Sequence, residues 1–119
     1  LPLAGTRVFI VEDEALILDT LQDMLEDLGC HVVESAARVD EALAKLPSLD
    51  FDVAVLDVNV AGTRIDPVAD VLAERGMPFF FASGYGRGSL PAAHSARVLL
   101  SKPYRTADLR AALHSVLPQ

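Results

Sequence analysis

Five short apolar runs recur along this chain, and most intervals between them carry an apolar stripe of helical period. The first run, in "TRVFIVED", is Val8, Phe9, Ile10 and Val11 and ends in charge. The segment after it, "EALILDTLQDMLEDLG", spaces Leu18, Leu21, Leu25 and Leu28 along one helical face and stops at Gly29. "CHVVES" is a short second strand. It precedes "RVDEALAKLPS", in which Val39, Ala42, Leu43 and Leu46 suit a helix ended by Pro47. "FDVAVLDVNV" supplies a third strand through Val53, Val55 and Leu56 before Asp57. A loop "AGTR" follows, and then a helix with Pro67 near its start and Gly76 at its end. "MPFFFASGYG" and "ARVLLSKPY" are the fourth and fifth strands. The tail "RTADLRAALHSVL" is a last helix, with Thr106 expected at its N-cap and Leu109, Ala112, Leu113 and Val116 on one side.

Strands alternating with helices imply right-handed crossovers and a parallel sheet covered on both faces, an α/β fold. The weak interval is "YGRGSLPAAHSA", whose glycines and proline predict a fourth helix that is short, displaced or partly loop. At 119 residues and 51% hydrophobic content the chain has length for one domain, 1–119, with a real core. It begins without Met, so it reads as a trimmed or excised domain, with companion domains left open.

In a sheet of this kind ligands bind beyond the carboxyl ends of the strands. Glu12 and Asp13 follow the first strand, Asp57 ends the third, Ser83 the fourth, and Lys102 follows the fifth. Converging carboxylates repel unless a cation intervenes, and hard oxygen ligands without His or Cys favour Mg²⁺ over zinc. With a hydroxyl and an ammonium beside them, such a site suits a phosphate group. Any one of these acidic residues alone reads as a turn or cap residue; their joint placement is the signal. Glu14 is expected to cap or start the first helix.

The net charge of −7 argues against nucleic acid or an anionic membrane surface as a direct partner. No stretch approaches the roughly 18 apolar residues of a membrane span, and no signal-peptide pattern is present. The single cysteine, Cys30, forms no internal disulfide, fits a reducing, cytoplasmic setting, and reads as a small buried hydrophobe. His31, His94 and His114 lack metal-ligand spacing and read as surface or satisfied core residues. The "GYGRG" turn matches neither glycine-rich nucleotide fingerprint and reads as a structural loop.

The stretches "VFIVEDE", "DVAVLDVNV", "FASG" and "SKPY", in this order, make the chain resemble a response-regulator receiver domain of two-component signalling over essentially its whole length. "FASG" with the glycine-rich stretch after it is similar to a subgroup with a Phe-Ala-Thr-Gly signature and an atypical fourth helix. The resemblance implies a flavodoxin-like, doubly wound, five-stranded parallel sheet of order 2-1-3-4-5. It implies that Asp57 accepts a phosphoryl group from the phosphohistidine of a histidine kinase or phosphotransfer protein. Glu12, Asp13, Asp57 and the backbone carbonyl of Asn59 would hold Mg²⁺, Ser83 would hydrogen-bond the phosphoryl oxygens, and Lys102 would pair with the phosphoryl group. A cis peptide before Pro103 would turn Lys102 toward Asp57. The phosphorylated state would pass to a downstream protein or attached domain, with slow self-catalysed dephosphorylation. A weak C2 dimer through the fourth and fifth helices is compatible, though the irregular fourth helix counts against it.

Leu99 stands where many receivers carry a switching Tyr or Phe, and with the glycine-rich stretch after "FASG" the expectation is that output relies on the loop from Gly84 to Pro91 more than on an aromatic switch. Asn59 and Tyr85, each two residues past a site position, are candidates for controlling access of water. Tyr104 is read equally as core packing or as an exposed docking aromatic. Two other classes stay in view. One is a pseudo-receiver, a phosphorylation-independent protein-binding module that would fail to bind Mg²⁺ or phosphoryl mimics. The other is a small phosphatase of related topology, which would need an acid/base carboxylate where Asn59 stands.

Overall fold

The structure is a computed structural model that describes residues 3–118, so residues 1, 2 and 119 of the expected domain lie outside the described residues. Five strands build the main sheet: β1 (Arg7–Val11), β2 (His31–Ala36), β3 (Val53–Asp57), β6 (Phe79–Ser83) and β7 (Leu99–Ser101). They lie in the order β2-β1-β3-β6-β7 with every neighbouring pair parallel. In the five-strand count this is the expected 2-1-3-4-5. Strand order reverses at β1, which lies between β2 and β3, and the crevice beyond the carboxyl ends of β1 and β3 is therefore the natural ligand position.

Alternate residues of each strand feed two cores. Phe9, Val11, Ala54, Leu56, Phe79 and Phe81 point to one face, where α2 (Val39–Lys45) and α3 (Asp66–Glu74) contribute Val39, Ala42, Val68, Ala69 and Leu72. Val8, Ile10, Val53, Val55 and Phe80 point to the other, against Leu21 and Leu25 of α1 (Ala15–Asp27) and Leu109, Ala112 and Leu113 of α4 (Thr106–Val116). Burial on both faces explains why these strands read as continuous apolar runs. Each large side chain so buried contributes roughly 1.5–3 kcal/mol relative to exposure. The helices end where the sequence signals it: Gly29, one residue past the α1 cap, has φ +89° and sits against the Ala4 backbone. An ideal Cβ on Gly29 would lie 3.1 Å from Ala4 Cα.

Three local features depart from the expectation. Residues 59–64 are not a plain loop but a small antiparallel hairpin of β4 (Asn59–Val60) and β5 (Thr63–Arg64). Its two-residue turn places Ala61 at φ 51° and Gly62 at φ 81°, both in the left-handed region that tight hairpins require. Thr106 is the first residue of α4 rather than its cap. The cap is Arg105, whose N–H donates to the Asp108 carboxylate at 2.9 Å. Finally, β2 is shifted by one residue, to His31–Ala36.

The irregular fourth helix is borne out. Between β6 and β7 the chain makes two single 3₁₀ turns, Arg87–Ser89 and Ala92–His94. The segment is anchored by Leu90, which enters the core, and by His94, which is buried between the Phe79 and Phe81 rings and α3. Arg97 Nε–H donates to His94 Nδ1 at 3.4 Å, so Nδ1 accepts and Nε2–H is left to donate to Asp70 at 2.8 Å. The Arg97 guanidinium lies 4.1 Å from the centre of the Phe79 ring, a cation–π contact. His94 is thus a satisfied core residue. Cys30 is buried, its thiol pKa is raised by that burial, and its Sγ lies 3.8 Å from the Leu3 carbonyl. Among the described residues no helix is long and apolar enough to cross a membrane.

Candidate functional site

Three strand ends and one loop deliver the site. β1 runs out at Val11, which places Glu12 and Asp13 in the bend before α1. β3 ends on Asp57, and Lys102 follows β7 with a cis peptide to Pro103. A carboxylate oxygen from each of Glu12, Asp13 and Asp57 lies within 4.8 Å of the others. Lys102 Nζ donates to Glu12 Oε1 at 2.9 Å and to Asp57 Oδ2 at 3.1 Å, joining the outer and central parts of the sheet. The burial is graded: the side chains of Glu12, Asp57 and Lys102 are 3%, 14% and 16% exposed, whereas Asp13 is open to solvent.

This placement has electrostatic consequences. Burial pushes the Glu12 carboxyl above its usual range, against the opposing pull of the Lys102 hydrogen bond and the Glu14 N–H. For Lys102, burial acts to lower the pKa. The Glu12 hydrogen bond and the charges of Asp57 and Glu12 outweigh it, and the ammonium is held above its ordinary value. The lysine is therefore a fixed cation, balancing part of the negative charge of three clustered carboxylates. The remaining charge, presented by oxygen donors alone, is what a hard divalent cation such as Mg²⁺ takes up. The donor set fits that ion.

A depression of roughly 510 Å³ opens over the cluster, floored by Asp13, Asp57 and Lys102 and flanked by Asn59, Gly84 and Tyr85. Tyr85 is 75% exposed and stands at its rim. Glu14 forms the N-cap of α1, with its N–H donating to Glu12 Oε2 at 3.1 Å. Asp13 is steadied from the opposite side, where Oδ2 accepts the Ala61 N–H of the hairpin turn at 3.0 Å.

Comparison with known proteins agrees with this geometry. The family model described as the response regulator receiver domain matches residues 8–114. The chain belongs to the response-regulator receiver family. Its relatives include the transcriptional regulatory protein TdiR of Thauera aromatica, 34% identical over 95% of this chain and 52% of that protein. Among solved structures, the solution structure of SdrG from Sphingomonas melonis Fr1 superposes with TM-score 0.84 at 38% identity, covering 93% of this chain and 95% of that one. The BeF3-activated conformation of SdrG from Pseudomonas melonis Fr1 superposes with TM-score 0.79 at 39% identity, covering 94% and 96%. The chain spans about half the length of TdiR, the first of its curated relatives.

Within this receiver, the expected residues lie around one crevice, and Ser83 accepts the Lys102 N–H on its backbone carbonyl at 2.9 Å. Glu12, Asp13, Asp57 and Lys102 converge. Asn59 is exposed at the start of β4 and borders the same depression. Ser83 is at the end of β6 and buried, but its hydroxyl engages its own loop: Oγ accepts the Tyr85 N–H at 3.0 Å and lies 3.4 Å from Ser89 Oγ. Leu99 pairs with Phe81 in the sheet and packs on the α2–α3 core, a position with no ring to rotate. Tyr104 is partly buried against the α1–α4 core, and that burial raises its pKa. It also lines an apolar groove with Leu16, Ile17, Met24 and Pro103. Three neighbours of the site lie outside the expected set: Ala61, whose N–H holds Asp13, Ser89, whose hydroxyl faces Ser83, and Arg64, which donates to the Ser89 carbonyl. They sit at a left-handed Ala, in a two-residue strand and in a single 3₁₀ turn, none of which a propensity pattern marks.

Proposed function

We propose that this receiver accepts a phosphoryl group on Asp57 from the phosphohistidine of a histidine kinase or histidine phosphotransfer protein. The observation that carries the reading is the Lys102 bridge between Glu12 and Asp57, with the Asp13 carboxylate beside it at the crevice where strand order reverses. Glu12, Asp13, Asp57 and the Asn59 carbonyl would hold a divalent cation, which would supply charge compensation between the carboxylates and an incoming phosphate. An Asp57 carboxylate oxygen attacks phosphorus in line, the P–N bond to the donor imidazole breaks, and an acyl phosphate is left on Asp57. Lys102, already a fixed cation 3.1 Å from Asp57, pairs with the transferred phosphoryl oxygens. The Ser83 hydroxyl donates to another of those oxygens. Water later hydrolyses the acyl phosphate at a rate governed by the openness of the depression beside Asn59 and Tyr85.

The BeF3-activated conformation recorded for SdrG supports carrying this chemistry over to a chain 39% identical to it. The complete acidic cluster also favours it over a phosphorylation-independent binding module. The setting is cytoplasmic, with output through protein contacts of the segment 84–98 and α4. Intact mass after incubation with acetyl phosphate tests the reading. One added phosphoryl group, requiring Mg²⁺, is expected; a folded protein that gains none and binds neither Mg²⁺ nor beryllofluoride is a binding module instead.

A further inference from the structure

The Ser83 hydroxyl carries one proton, and the loop around it already has a use for that proton. Ser89 Oγ donates its own hydrogen to the Gly86 carbonyl at 2.7 Å. Across the 3.4 Å gap between the two hydroxyls, the proton left to share is therefore that of Ser83. On its other side Ser83 Oγ accepts the Tyr85 N–H. Ser89 is itself held in place: its N–H also donates to the Gly86 carbonyl, at 2.9 Å, and its own carbonyl accepts from Arg64 Nη2 at 3.2 Å. Arg64 is braced by Asp66 at 3.1 Å, and its strand closes the hairpin whose turn holds Asp13.

Donation to Ser89 and donation to a phosphoryl oxygen on Asp57 are mutually exclusive for a single hydroxyl proton. We propose that Ser89 and Arg64 are positioning residues forming a latch, which keeps Ser83 in a resting engagement and thereby weakens the site's hold on a phosphoryl group. The proposal rests on the phosphoacceptor reading of Asp57. A binding-competent state that is only fractionally populated lowers apparent affinity by that fraction, so opening the latch raises affinity. This sign is opposite to that of ordinary damage near a site.

The test is a titration with beryllofluoride in the presence of Mg²⁺, followed by backbone amide NMR, on the unaltered chain, Ser89→Ala, Arg64→Ala and Arg64→Lys. Release of one long, weak neutral hydrogen bond, at the low end of the usual range, predicts roughly two- to threefold tighter binding by Ser89→Ala. A smaller gain is expected for Arg64→Ala, with Arg64→Lys reverting toward the unaltered chain. Before any ligand is added, the Ser83 and Tyr85 amide resonances of Ser89→Ala should already lie part-way to their liganded positions, a signature that mere destabilisation does not give. Should Ser89→Ala fold poorly, Arg64→Ala carries the same sign. Unchanged or weaker binding by the folded variants, beside clear binding by the unaltered chain, overturns the latch alone. Absence of binding by the unaltered chain overturns the phosphoacceptor reading and the latch with it.

Discussion

Replacing Lys102 by Met keeps the apolar stem of the side chain but removes the cation between Glu12 and Asp57. Losing one partner of a buried ion pair costs about 3–5 kcal/mol when the other charge has no escape. Here protonation of Glu12 offers an escape. From the ordinary glutamate value of 4.5, neutralising it at pH 7 costs at most about 3.4 kcal/mol, a gap of 2.5 pH units at 1.36 kcal/mol each. The two bounds meet near 3 kcal/mol, which for a domain of this size lowers the thermal midpoint by roughly 10 °C. The cost must shrink with acid, because protonation becomes cheaper: at pH 5.5 the ceiling is about 1.4 kcal/mol. Urea denaturation of both proteins without divalent cation at the two pH values measures this, and Mg²⁺ should recover more stability in Lys102→Met than in the unaltered chain. A loss of equal size at both pH values, or no loss at pH 7, would refute the view that Lys102 balances a buried carboxylate.

Three further outcomes follow from the same structure. Asp13→Asn removes a solvent-facing carboxylate of the acidic cluster without emptying the core, so Mg²⁺ affinity measured by calorimetry should fall on the order of tenfold or more while the metal-free midpoint stays nearly unchanged. Gly29→Ala forces a Cβ against Ala4 at φ +89° and should destabilise by more than about 1 kcal/mol in urea. The Arg7 side chain, and after it the Arg7 N–H, hold the Asp52 carboxyl below its usual range. A depressed carboxylate stabilises above its unfolded-state pKa, and that contribution is lost as pH falls through the lower folded value. Asp52→Asn should therefore lower stability at neutral pH and flatten its decline below pH 4, as read from midpoints along a pH series.

Much of this was legible from the residues. Val8–Val11 and Phe79–Ala82 are buried on both faces, so an unbroken apolar run is all the sequence needed to show for a central parallel strand. Glu12, Asp13, Asp57 and Lys102 were legible because topology alone brings strand ends to one edge. The hairpin was not: two-residue strands lie below any periodic signal, and the Ala61 conformation is set by the Val58–Ile65 and Asp13–Ala61 hydrogen bonds rather than by Ala itself. Glycines announced that the fourth helix would fail. They could not announce that His94 would replace its apolar face by filling the space between Phe79, Phe81 and Asp70, since that depends on partners distant in sequence. Ser83 was placed correctly on its strand, but its resting partner Ser89 belongs to a loop whose path follows from Leu90 burial and the Arg64 contact.

The central claim is that Asp57 carries the phosphoryl group. Treating the acetyl phosphate product with borohydride reduces an acyl phosphate to an alcohol, so peptide mass spectrometry can locate the modified side chain. The account predicts homoserine at position 57, dependent on Mg²⁺, and no modified peptide from Asp57→Asn. A trapped residue elsewhere in the chain, or equal trapping in Asp57→Asn, would contradict it.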